Sequence, residues 1–208
     1  MKEMGIRYEL IVRSIDEKVL GDRNDDPAKL VLTLAKAKGD FLVSKLMNGG
    51  ETDLPEKKSN GKHGGWIILT ADQVVTHAGS ILEKPETVEE AKEFVSRYAF
   101  GAPKTVGACV LTHIPSGLQV SGVDSAQINF RATVAECNLV DKLLEDGAPI
   151  MSCAGGLMVE HPLVREHIRG INGTEDSVMG LSKHLVMDLL YEMDSKLSNI
   201  NYDDKVYD

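Results

Sequence analysis

The chain is short of several things that would define a class. It has no apolar run of the roughly 20 residues that a membrane-spanning helix needs, and no signal-peptide pattern. Cysteine is scarce. Cys109, Cys137 and Cys153 lack metal-ligand spacing, which excludes a disulfide scaffold and fits a reducing compartment, so the expected location is cytoplasmic. The six histidines form no cluster at ligand spacing and read as structural or exposed. Positive charge is in deficit, with 23 Lys and Arg against 32 Asp and Glu, a net charge of -9. That argues against a nucleic-acid polymer or an anionic membrane as main partner. A nucleotide is not excluded, because it needs only a few local cations. There is no glycine-rich phosphate loop and no internal repeat.

What is present is an ordinary globular composition, 42% hydrophobic and 26% charged over 208 residues. One domain with a substantial core is expected. The chain is organised around residues 66–85. Trp66-Ile67-Ile68-Leu69, bounded by Gly64-Gly65, reads as a strand buried on both faces. Asp72 follows at its carboxyl end, where α/β sheets place ligands, although an aspartate there also serves as a plain turn residue. Residues 74–76 and 80–82 flank His77-Ala78-Gly79 as a hairpin, which ends in Lys84-Pro85 and brings a second charge back near Asp72.

The rest reads in order. Residues 1–5 resemble the last turn of a helix and its glycine cap. Residues 6–12 alternate like a strand. Asp16-Glu17 stand in a polar segment and are equally a solvated turn. Asp26-Pro27 starts a helix to about Leu46, with Leu30, Leu34, Ala37 and Phe41 as its stripe. Lys38 falls on the edge of that stripe, where a snorkelling lysine is the plain alternative. Residues 47–65 read as a mobile surface loop, whose Lys57, Lys58, Lys62 and His63 could touch phosphate but fit a solvated loop. Thr87 with Glu90 and Thr133 with Glu136 read as capping boxes opening two helices. The first buries Val88, Ala91, Phe94 or Val95, and Tyr98. Residues 105–113 and 117–131 read as two long strands. Residues 153–160 are a small-residue turn, and residues 167–171 a further strand. A polar loop over 173–181 enters a last helix, and the acidic tail from Ser195 is expected to fray.

Taken together, Ala71-Asp72-Gln73-Val74-Val75, Gly79-x-Ile81-Leu82-x-Lys84-Pro85 and Glu89-Glu90-Ala91 resemble the Maf family of nucleotide pyrophosphatases. So do residues 122–130, the Ala154-Gly155 turn and the 173–181 loop. The resemblance covers about residues 1–193. It implies an α/β, inosine-triphosphatase-like fold in one domain over residues 1–194. Its sheet would be elongated, curved and mixed, with two lobes around a central cleft, in a homodimer. It implies hydrolysis of a nucleoside triphosphate to the monophosphate and pyrophosphate with Mg²⁺ or Mn²⁺. Asp72 matches the family's general base, Lys38 and Lys84 its phosphate-binding lysines, and Glu17 a carboxylate near the metal. The family's first strand and its Ser-Ala-Ser-Pro-Arg-Arg phosphate loop have no counterpart in this sequence, and residues 47–65 look inserted. The chain is therefore expected to be either the hydrolase or a catalytically impaired form that keeps nucleotide binding or dimerisation for regulation. Gln73 and Glu160 resemble the substrate-binding residues of the branch that acts on 7-methyl-GTP. A carboxylate there can accept from guanine's N1–H and exocyclic amine and suits a cationic methylated base.

Overall fold

The computed structural model describes residues 1–48, 63–135 and 138–203. Asp26 caps α1 (Pro27–Asn48), its carboxylate accepting from the Ala28 N–H at 2.9 Å. The buried face of α1 is Leu30, Val31, Leu34 and Ala35, and Gly39 continues it. Ala37 and Phe41, expected on the stripe, are only half-buried. The true stripe is rotated by one position. That places Lys38, one turn beyond Leu34 and Ala35, on the inward side and not on its edge.

Strand β1 (Trp66–His77) turns through Ala78 and Gly79 into β2 (Ser80–Leu82). Both turn residues have positive φ, 48° and 83°, as a two-residue hairpin with right-handed strand twist requires. Next come α2 (Val88–Arg97), β3 (Lys104–Ile114) and β4 (Gln119–Phe130). Thr87 caps α2 by accepting from the Glu90 N–H at 3.1 Å, and the Glu90 carboxylate accepts from the Glu86 N–H. The chain continues with α3 (Leu139–Glu145), α4 (Pro162–Arg165), β5 (Ile168–Asn172), α5 (Glu175–Val178) and α6 (Lys183–Asp203).

The sheet order is β2-β1-β3-β4-β5. The expected mixed sheet is antiparallel at every described pairing. Tight turns join β1 to β2 and β3 to β4, and a tight turn only permits antiparallel neighbours. The apolar interior forms three clusters. One lies between α1 and the face made by Val74, Val106, Ala108 and Val110. One lies between α6 and the opposite face, at Cys109, Leu111 and Val120. The third joins α2 and α3 to the ends of β1 and β4. The strand buried on both faces is thus β3, not residues 66–69. β2 covers only Val75, Thr76 and His77, so among the described residues the first part of β1 pairs only with β3, and Ile67 is 43% exposed.

Three other expectations change. Residues 6–12 form no strand, and Leu10 and Val12 are 81% and 74% exposed. Alternation makes a strand only where a neighbour receives its N–H and C=O groups. Thr133 does not cap α3. Its hydroxyl lies 2.9 Å from His167 Nδ1, residues 132–135 form a separate 3₁₀ turn, and Asn138 in left-handed conformation precedes Leu139. Glu136 and Cys137 lie outside the described residues. The tail does not fray at Ser195, because α6 runs to Asp203 and buries Met193 and Leu197. Of the expected 47–65 loop, Met47 and Asn48 belong to α1, and residues 49–62, with Lys57, Lys58 and Lys62, lie outside the described residues. His63 Nε2 stands 2.7 Å from Asp194 Oδ1. No helix among the described residues is long and apolar enough to cross a membrane.

Candidate active site

β1 alternates its side chains between two faces, and positions 70, 72 and 74 face α1. The Thr70 hydroxyl donates to Ala35 O at 2.8 Å, and Val74 packs with Leu34. Between them, Asp72 meets Lys38, with Nζ 2.5 Å from Oδ1. Asp72 is therefore mid-strand and not at a strand end. Val74, Val75 and Thr76 extend the pairing with β3 past it. Lys38 Nζ also lies 3.0 Å from Glu17 Oε1. Glu17 opens a 3₁₀ turn, Glu17–Val19, capped by Asp16, whose carboxylate accepts from the Lys18 N–H. One ammonium thus joins two carboxylates from segments 55 residues apart.

Burial and pairing compete over the proton affinities. Asp72 is 9% exposed, and desolvation pushes its carboxyl above the ordinary value of 3.8, although Lys38 pulls it down; the Glu17 charge adds to the rise. For Lys38, burial works against the charged form. Hydrogen bonds and charge from Asp72 and Glu17 outweigh it, and the net shift is upward from 10.5. The two rises are compatible, because Lys38 touches two carboxylates, while Asp72 touches one shared ammonium and feels Lys84 only as a weaker charge.

A cleft of about 320 Å³ opens beside this cluster, lined among others by Asp72, Gln73, Lys84, Cys153 and Glu160. That volume is at the lower end of ordinary small-ligand sites. Lys38 and Glu17 meet the cleft through Asp72, which lines it, and both side chains keep some exposure to solvent. Lys84 makes no ion pair with a described residue. Burial raises the Cys153 thiol's pKa; the Glu160 charge adds to the rise and Lys84 opposes it, so a cation and a carboxylate flank one wall. Gln73, expected as a substrate-binding residue, has its amide N–H groups engaged. They donate to Val178 O at 2.9 Å and Ser177 O at 3.3 Å, holding the 177–180 turn over the cleft.

Two groups were not marked by sequence reasoning as parts of the site. Tyr98, foreseen only as core, donates its hydroxyl to Gly155 O at 2.7 Å. Arg23 bonds main-chain carbonyls around Glu17 and carried no signal, standing between Asp22 and Asn24 in a polar stretch. Gly155 itself has φ +72°, and an added Cβ would come 2.7 Å from the Tyr98 hydroxyl and 2.9 Å from Val75 Cγ2. Gly155→Ala should therefore lower the urea midpoint, with about 1–2 kcal/mol from the left-handed backbone alone and more from the overlap.

Among the described residues no three His, Cys, Asp or Glu converge as a metal cage. The Glu17 and Asp72 carboxylates do converge on one cation, Lys38. One carboxylate completed by water and phosphate oxygens is a donor set that Mg²⁺ accepts, so Glu17, with Asp72 beside it, fits such an ion.

The chain is 32% identical over 191 residues to a 7-methyl-GTP pyrophosphatase of Dictyostelium discoideum, covering 92% of this chain and 89% of that protein. It is 27% identical over 202 residues to a dTTP/UTP pyrophosphatase of Neisseria meningitidis, covering 97% and 88%. A dTTP/UTP pyrophosphatase of Deinococcus radiodurans is 27% identical over 190 residues, covering 90% and 83%. The family described as Maf-like protein matches residues 1–193. With an α/β architecture and a cleft beside its Asp72–Lys38 pair, this chain belongs to the Maf-like protein family.

Proposed function

We propose that this chain is a hydrolase of nucleotide anhydrides, a nucleoside triphosphate pyrophosphatase, with 7-methyl-GTP or a related nucleotide as substrate. The observation that carries the reading is the Lys38–Asp72 pair at the edge of a cleft that also holds Lys84. Relatives named 7-methyl-GTP and dTTP/UTP pyrophosphatase support the reaction class. Water attacks the α-phosphorus, its oxygen forms the new P–O bond, and the α–β bridging bond breaks. The products are the monophosphate and pyrophosphate. The Asp72 carboxylate takes the proton from the attacking water, for which burial has made it a stronger base than an ordinary aspartate. Lys38 and Lys84 hold the triphosphate and offset charge on the leaving pyrophosphate. Glu17 is the residue that would hold Mg²⁺ or Mn²⁺, beside the Asp72 base. Such an ion lowers the pKa of bound water and neutralises phosphate charge. A homodimer belongs to the same reading.

Glu160 is the substrate selector in this reading. Its carboxylate accepts from a guanine edge and favours a cationic methylated base. Gln73 orients the turn that closes over the base. Pyrophosphate release over 7-methyl-GTP, GTP, UTP, CTP and dTTP tests both. Wild type should prefer 7-methyl-GTP, and Glu160→Gln should cut that preference by about tenfold or more, the worth of one charge-assisted contact. An unchanged preference in Glu160→Gln removes Glu160 from the selection.

A further inference from the structure

We infer that Arg23 is a positioning residue for this reaction, fixing the Glu17 segment against the chain that carries Lys84 and so holding the Glu17 carboxylate on Lys38. Its effect on turnover rests on the pyrophosphatase reading, while its geometry does not. The guanidinium donates through Nη2 to Glu17 O at 2.9 Å, and through Nη1 to Leu20 O and, at 3.4 Å, Gly21 O. Its other edge faces a carboxylate. Nε lies 3.3 Å from Glu83 Oε2 and Nη2 3.4 Å from Glu83 Oε1. One planar group thus spans two segments 60 residues apart.

Both ends of that span matter to the site. Glu17 is the second carboxylate on Lys38. Glu83 immediately precedes Lys84, and its carbonyl accepts the Gly155 N–H at 3.0 Å, which ties it to the turn in the cleft wall. Among the described residues the segment has few other anchors. Lys18 pairs with Glu86 at 2.7 Å, but both side chains are largely exposed, and such pairs hold weakly. Leu20 is only partly buried against the α1 cluster. Without Arg23, the Glu17 carbonyl keeps the Leu20 N–H alone, and the Glu17 carboxylate is free to leave Lys38. A lysine cannot replace the arginine. A single ammonium does not present a fork to a carboxylate and, on its other edge, donors to separate carbonyls.

The test measures pyrophosphate release from 7-methyl-GTP with Mg²⁺ for wild type, Arg23→Ala, Arg23→Lys, Glu17→Ala and the Arg23→Ala/Glu17→Ala double variant. Amide hydrogen exchange of the nucleotide-free proteins is measured alongside. Arg23→Ala should lower kcat by roughly 10–100-fold, as loss of a supporting contact behind a ligating group does. The change in KM should be smaller, and Arg23→Lys should not restore the rate. In the Glu17→Ala background, Arg23→Ala should cost less than about threefold, because the arginine acts through Glu17. Exchange at the Leu20 amide should speed up in Arg23→Ala, while residues 68–74 stay protected. Equal losses in both backgrounds, a wild-type rate in Arg23→Lys, or unchanged exchange at Leu20 would overturn the inference. If wild type releases no pyrophosphate from any nucleotide, the pyrophosphatase reading fails, and the exchange at Leu20 alone decides the strut.

Discussion

Asp72→Asn should lower pyrophosphate release by about 10²–10⁴-fold, the range expected when a positioned general base is removed. The amide keeps the shape of the side chain in β1 but cannot take a proton from water. The fold should survive. Folding raises the proton affinity of Asp72, so its contribution to stability is greatest below 3.8 and shrinks as pH climbs through the raised folded value. At neutral pH the buried, ionised carboxylate is a cost that Lys38 only partly offsets. Asn removes that cost but also takes from Lys38 its nearer carboxylate, leaving Glu17, so the melting temperature at pH 7 should change little. The rate of wild type should follow the same titration from the other side. Its acid limb should lie above 3.8, since the base works only when ionised. Equal turnover by Asp72→Asn and wild type would remove Asp72 from the chemistry.

Lys38→Met is the second large effect, and it acts on rate and fold together. The charge offered to the triphosphate is lost, for a drop in kcat/KM of about 10²–10³-fold. Asp72 and Glu17 then face each other without a cation, and Asp72 becomes still harder to ionise, so the acid limb moves up. Stability should fall by about 1–3 kcal/mol, the cost of leaving a buried charged group unpaired. The lower part of that range applies, because Glu17 is 38% exposed and partly screened by water. The stability loss has its own pH signature. Lys38 has a raised pKa, so its contribution is complete below 10.5 and fades as pH rises through the folded value. Wild type and Lys38→Met should therefore converge in stability at high pH, in urea titrations across that range.

Local signals carried much of the fold. Asp26-Pro27 and Thr87-x-x-Glu90 each supply an acceptor for an orphan N–H, and the structure uses both. The 77–80 hairpin forms because Gly79 takes positive φ at no cost, while Ala78 is held in the same region by the strand pairing. What failed needed a neighbour. Residues 6–12 have strand alternation without a partner, and Thr133 is drawn to His167 instead of an N–H. The length of β1 was underread because Asp72 and Gln73 break its apolar run, and both are tolerated at the sheet's edge beside the cleft. The tail past Ser195 stays helical because Leu197 reaches the α6 core, which its acidic composition conceals.

The site was legible only in part. Composition and spacing marked Asp72 and Lys84 as charges that a hairpin brings near each other. Nothing local could join Lys38 to Asp72, 34 residues apart, because that contact depends on how α1 lies across β1. The family resemblance supplied Lys38 and Glu17. It did not supply the use of Gln73 to hold the 177–180 turn, nor Arg23, whose contacts run largely to main-chain carbonyls that no sequence pattern displays.

The measurement closest to the central claim is turnover of 7-methyl-GTP in ¹⁸O-labelled water with Mg²⁺, read by mass spectrometry of both products. Water attack at the α-phosphorus places one ¹⁸O in the monophosphate and none in pyrophosphate, and Asp72→Asn should slow formation of the labelled product by the same factor of about 10²–10⁴. Label in pyrophosphate or in free phosphate, or no turnover of any nucleotide by the wild-type chain, would contradict the account.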